Sequence, residues 1–156
     1  MGVVRFGLLA LVLILLCGIA PHSPHIPAPG LFLWAWERPE DLRFIYSATT
    51  GVAYLAATLD LQADGSARFH SRQQPLRLPP NVSLIAVVRI ESPPRYVFPK
   101  PAEVAAGLSR LAQQQDVKAL QIDYDARASE RGFYRALLAE LREKTDLPIG
   151  ITALAS

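Results

Sequence analysis

The stretch Leu84-Ile-Ala-Val-Val-Arg-Ile-Glu91, taken together with Ala119-Leu-Gln-Ile-Asp-Tyr-Asp125, decides the fold. Each is a near-continuous apolar run that closes on ionisable residues. Runs of this kind are buried on both faces, as parallel strands covered by helices are. Three further segments have the same character: Leu31-Phe-Leu-Trp-Ala-Trp-Glu37, Gly51-Val-Ala-Tyr-Leu-Ala-Ala-Thr58 and Leu147-Pro-Ile-Gly-Ile-Thr-Ala-Leu154. Helical patterns lie between the last three strands in chain order. In Pro101 to Gln115, Val104, Leu108 and Leu111 share a face. In Ser129 to Lys144, Phe133, Leu137 and Leu141 form one row, with Tyr134 and Leu138 beside it. Both patterns fit a period of 3.6, and Ser129 is the expected N-cap of the second. Strand, helix, strand, helix, strand predicts right-handed β/α crossovers. The expected fold class is α/β: about five parallel strands with covering helices, part of a (β/α)8 TIM-type barrel.

The connections carry their own signals. Arg38-Pro-Glu-Asp-Leu-Arg-Phe44 reads as a short helical turn with Pro39 at its first position. Asp64-Gly65, between alternating residues, predicts a β-hairpin after the second strand. Gln73 to Pro80 is extended and broken by proline.

A chain of 156 residues that is 51% hydrophobic has enough apolar surface for one core. Its formal charge is +2, and Arg38, Arg43, Arg68, Arg72, Arg77, Arg89 and Arg95 are scattered, which argues against a nucleic-acid partner. The first twenty residues differ in kind. Arg5 precedes the apolar run Leu8 to Leu16, and Cys17-Gly-Ile-Ala20 follows, the anatomy of a signal peptide or membrane anchor. Pro21 after Ala20 disfavours cleavage, so a retained anchor is expected, with Arg5 holding the N-terminus in the cytoplasm. The remainder is then exported, to the bacterial periplasm or facing it from the inner membrane. Leu16 stands where a lipoprotein site has a small residue, so the single cysteine, Cys17, reads as an apolar member of the targeting helix. The exported part has neither disulfide nor thiol chemistry. Residues 21–30 form a Pro-rich linker, in which His22 and His25 are solvated rather than metal-bound. Residues 31–156 are the domain. No Gly-rich phosphate loop follows a strand, and no cofactor or metal is expected.

Side chains alternate along a strand, so Gln121, Asp123 and Asp125 share one face while Leu120, Ile122 and Tyr124 face the helices. The same rule puts Ile85, Val87, Arg89 and Glu91 inward, and Ala86, Val88 and Ile90 outward. Adjacent strands lie about 4.8 Å apart, and residues two apart on one strand about 6.6 Å. Arg89, Glu91, Asp123 and Asp125 then form one cluster at strand C-termini, where such folds place binding and chemistry. Paired carboxylates suit glycosidic cleavage, one protonating the leaving oxygen and another acting as base, nucleophile or stabiliser. Asp123, Asp125 and Glu91 are the catalytic candidates. Trp36, Glu37, Arg89 and Gln121 are the substrate-binding ones, with Trp36 stacking on a sugar and Arg89 orienting the acids. The competing reading makes Arg89 the neutraliser of a buried ion network. It gives the core whichever of Trp34 and Trp36 points outward.

Trp34-Ala-Trp-Glu-Arg-Pro-Glu-Asp-Leu42, Val87-Val-Arg-Ile-Glu91, Gln121-Ile-Asp-Tyr-Asp-Ala126, Phe133-Tyr-Arg-Ala-Leu-Leu138 and Ile151-Thr-Ala-Leu-Ala-Ser156 resemble the bacterial family known as domain of unknown function 3142. The likeness spans residues 31–156. It implies a β/α barrel related to glycoside hydrolases, of which this chain matches the N-terminal half. A second likeness, over Leu120 to Arg127, is to the Asp-x-x-Asp-x-Asp-x-Glu signature of family 18 chitinases. Asp123 and Asp125 fall on its second and third acids, but Leu120 replaces the first and Arg127 the terminal proton donor.

The function expected is that of an exported, glycosidase-like or carbohydrate-binding protein, inactive as a half barrel. The alternative is a membrane-anchored envelope protein whose acidic cluster is structural. The sequence stops inside the fifth run, so a truncated product is expected; the alternative is assembly with a second copy through the open sheet edges.

Overall fold

The computed structural model describes residues 29–114 and 116–152. The expected signal or anchor over 1–20 with Cys17, His22 and His25 of the linker, and the end of the fifth run lie outside the described residues. Among the described residues no helix is long and apolar enough to cross a membrane.

In chain order the elements are β1 (Leu31–Ala35), β2 (Glu40–Asp41), β3 (Thr50–Leu61), β4 (Ala67–Ser71), β5 (Leu76–Arg77), β6 (Leu84–Glu91), α1 (Pro101–Ala112), β7 (Val117–Asp123), α2 (Arg131–Arg142) and β8 (Ile149–Ile151). The main sheet runs β1-β3-β6-β7-β8 with every pair parallel, and β4 adds an antiparallel strand to β3. β1 takes the N-terminal half of one edge of β3 and β4 the C-terminal half. The fold is α/β with a mostly parallel central sheet. The described residues form an open sheet, not a closed barrel.

Both helices cover one face. Val104, Ala105 and Leu108 of α1 and Phe133, Leu137 and Leu141 of α2 share one core with Val52, Tyr54, Ala86, Val88, Leu120 and Ile122. On the other face Ala53, Ile85, Val87 and Ala119 form a second, small cluster against Phe32. The alternation expected along β6 and β7 therefore holds.

Strand β3 needs one irregularity to keep its apolar residues inside. Leu55 pairs with Val87 and Ala57 with Val88, which leaves Ala56 as an extra residue. This bulge reverses the parity of the strand. Before it, Ala53 and Leu55 lie on the face without helices. After it, Leu59 and Leu61 turn to the helices while Thr58 and Asp60 turn away from them.

The hairpin predicted at Asp64-Gly65 joins β3 to β4. Gly65 sits at φ 85°, a left-handed conformation that only glycine adopts freely. The Asp64 Oδ1 accepts from Ser66 N at 2.9 Å and Ser66 Oγ at 2.7 Å. The Phe69 ring of β4 then lies directly over Gly107 of α1, leaving no room for a Cβ there.

Two local expectations are corrected. The helical turn over 38–44 is absent, because its amides bond elsewhere: Glu40 N donates to Pro75 O at 3.0 Å and Leu42 N to Arg77 O at 2.8 Å. β2 thus pairs in parallel with β5 inside the extended Gln73–Pro80 segment. Ser129 does not cap α2. It lies in a single 3-10 turn, Ala128–Glu130, that leads into the helix, and the Glu130 carboxylate accepts from Arg127 N at 2.6 Å instead.

Candidate functional site

Cross-strand register builds the site on the face that carries no helix among the described residues. Near the C-terminal ends, His70, Thr58, Arg89 and Asp123 stand side by side on β4, β3, β6 and β7. One step further lie Arg68, Asp60 and Glu91. Glu91 and Asp123 therefore project from adjoining strands on a single face. Asp125 lies just past the end of β7 and is exposed.

Two neighbouring carboxylates of this array, Asp60 and Glu91, each have a partner of their own. Arg89 Nε meets Glu91 Oε1 at 2.9 Å, and His70 Nε2 lies 3.1 Å from Asp60 Oδ2. Like charges directly opposite one another on neighbouring strands repel, as Asp60 and Glu91 would without these partners. The Arg89 and Glu91 side chains are 49% and 50% exposed. Ion pairs so solvated contribute about 0–1 kcal/mol. Arg89 is thus not the centre of a buried network.

Trp34 pairs with Ala53, which places it on the same face, and Trp36 continues that face past the end of β1. The two indoles stack with centroids 5.2 Å apart and planes 9° from parallel, and remain 46% and 45% exposed. Neither is a core residue.

The platform is anchored by Arg72, which the sequence did not single out. Its guanidinium donates to the carbonyls of Trp36 at 2.6 Å, Arg38 at 2.7 Å and Ala35 at 3.4 Å. Its own amide donates to the bulged Ala56 at 2.9 Å. Glu37 faces the neighbouring loop, where Oε1 accepts from Gln73 N and Gln74 N at 2.9 and 2.8 Å. Gln121 is also engaged, its amide donating to Thr152 Oγ1 at 3.2 Å.

Two depressions flank Glu91 at the sheet's C-terminal edge. The larger, about 440 Å³, is lined by Asp60, Leu61, Gln62, Glu91, Ser92 and Pro93 among others. The smaller, about 210 Å³, is lined by Ile90, Glu91, Ser92, Tyr124, Asp125 and Arg127.

Behind the smaller depression lies the charged residue the sequence reading missed. Glu130 is 1% exposed, the one buried charged side chain among the described residues. Its carboxylate accepts from Arg127 N at 2.6 Å, from Ser92 Oγ at 2.9 Å and from the Arg127 guanidinium. Burial pushes its pKa up, but these hydrogen bonds prevail and hold it at about 2. The Tyr96 and Tyr124 hydroxyls bond each other at 2.9 Å beside it. Burial, the shared hydrogen bond and the Glu130 charge push Tyr96 well above the phenol range. Glu-Arg-Gly in a helical pattern reads as a solvated helix start, so only the fold reveals this burial.

No family model matches the chain, and neither a curated protein nor a solved structure matches it. The described residues contain no group of three or more His, Cys, Asp or Glu side chains placed to hold a metal.

Proposed function

We propose that this chain is a carbohydrate-binding, glycoside-hydrolase-like β/α protein of the bacterial envelope, its open sheet face being the sugar-binding surface. One observation carries the reading: the stacked Trp34–Trp36 pair, Arg89, Glu91 and Asp123 occupy one face of one sheet. Sugar rings present apolar C–H faces and polar rims. A half-exposed indole offers the complementary flat apolar surface, and carboxylates and a guanidinium supply acceptors and donors for hydroxyls. Trp36 is assigned the stacking role, Arg89 hydroxyl binding and orientation of the acids, and Glu91, Asp123 and Asp125 acid–base or stabilising roles. Parallel strands running in chain order with helices on one side support the finer assignment to consecutive units of a (β/α)8 barrel. The resemblance to domain of unknown function 3142 points the same way. Export and membrane attachment through residues 1–20 belong to this proposal.

The alternative, an envelope protein with a purely structural acidic cluster, is weakened by the exposure of Arg89 and Glu91. Solvated pairs add little stability, and the buried ionic network lies at Glu130 instead. Glycan-array binding by the full chain tests the proposal. We expect a subset of glycans to be retained, and Trp36→Ala and Asp123→Asn to lose them while thermal stability stays within about 1 kcal/mol of the parent. A folded parent that retains no glycan, or variants that bind as the parent does, would overturn it.

A further inference from the structure

The geometry points to Glu130 as the positioning residue of this site, a buried carboxylate that fastens the β6–α1 loop to the β7–α2 loop and so fixes Glu91 and Asp125 relative to one another. The role rests on the carbohydrate reading for what is bound, and on geometry alone for how the loops are held.

Each loop contributes separately to the carboxylate. Ser92, directly after Glu91, belongs to the β6–α1 loop, and its hydroxyl donates to Oε1. Arg127, two residues after Asp125, belongs to the β7–α2 loop and gives its amide to Oε2 and its guanidinium to Oε1. The same guanidinium nitrogen returns to the first loop, donating to Pro93 O at 2.6 Å and Ser92 Oγ at 3.2 Å. Every one of these bonds closes behind the depression that Glu91 and Asp125 line. The first loop has a second attachment, an aromatic relay in which Tyr96 meets Phe98 edge-on and Phe98 stacks on Phe133 of α2. This relay holds residues 96–98 but does not reach Glu91. Without the carboxylate, the Arg127 guanidinium and the Ser92 hydroxyl lose their common acceptor, and the loops keep only the Arg127 bonds to Pro93 and Ser92 and the Tyr96–Tyr124 bond between them.

Native-state hydrogen exchange on the full chain, read by peptide, separates positioning from general stability, because local opening and global unfolding expose different amides. In Glu130→Gln, exchange over residues 92–100 and 124–130 should accelerate by a clearly larger factor than the uniform increase that lower global stability gives β3, β6 and β7. Binding to the glycan array should weaken about tenfold. Acceleration of all segments by one common factor, as a merely structural role requires, overturns the proposal, and so does unchanged loop exchange. Should Glu130→Gln fail to fold, Ser92→Ala keeps the carboxylate and removes one donor. It should show the same loop-selective pattern at smaller amplitude, and no loop response there overturns the proposal as well. Loop-selective exchange in a chain that binds no glycan upholds the coupling of the loops and overturns the carbohydrate reading instead.

Discussion

Glu130 holds a charge where burial disfavours charge, and it does so because its lone pairs meet donors from two loops at once. Its folded pKa of about 2 lies below the ordinary 4.5. Such a group adds stability that is fully present above pH 4.5 and is lost as pH falls toward 2. The difference corresponds to roughly 3 kcal/mol at neutral pH. Urea unfolding from pH 7 to pH 2.5 should therefore show wild type losing stability relative to Glu130→Gln across that window. A constant gap between the two would refute the assignment. Gly51 makes a different demand. A Cβ there would enter the Phe32 ring and approach Ser83 O to 2.9 Å, and that carbonyl already accepts from Val52 N. Because backbone cannot swing aside as a side-chain tip can, Gly51→Ala should cost about 1–3 kcal/mol by denaturant titration.

At the scale of elements, the bulge in β3 does the most. If the chain alternated strictly through Ala56 instead of bulging there, Leu59 and Leu61 would turn to the open face and Asp60 under the helices. Burying an aspartate while exposing two leucines exceeds what a domain of this size tolerates. Deleting Ala56 removes the extra residue and leaves Leu59 and Leu61 on the helix side, so that variant should keep a cooperative thermal transition by circular dichroism, and loss of the transition would refute this account of the bulge. The bulge also connects to the tryptophan platform, since Ala56 O anchors Arg72 N and Arg72 holds the carbonyls around Trp36. Hydrogen bonds from a charged donor are worth about 1.5–3 kcal/mol each. Arg72→Ala should lower stability by about that amount or more and alter the emission of the two tryptophans. Unchanged emission would show that the indoles stack without this clamp.

At the scale of the whole sheet, the C-terminal ends of the described strands are dry on one face and wet on the other. The helix-covered face holds the main core, whereas the exposed Arg89–Glu91 ion pair and the Asp60–His70 contact sit in solvent. Exposed pairs are screened at distances near the Debye length, about 3 Å in 1 M salt. Thermal stability should thus change little between low salt and 1 M sodium chloride, while any glycan binding that uses Arg89 and Glu91 directly keeps its dependence on their side chains. A large salt-induced fall in melting temperature would assign the array a structural role.

The parallel strands, both helices and the hairpin were legible because each rests on local rules: apolar runs, a 3.6 period, an Asp-Gly turn. So was the common face of Glu91 and Asp123, since alternation along a strand is fixed by the backbone. The turn over 38–44 was misread because its amides find acceptors in residues 75 and 77, a choice no local propensity records. Glu130 and Arg72 were invisible for the same reason. Their partners lie on loops distant in sequence, and only tertiary packing decides which charge is taken out of water and what it meets there.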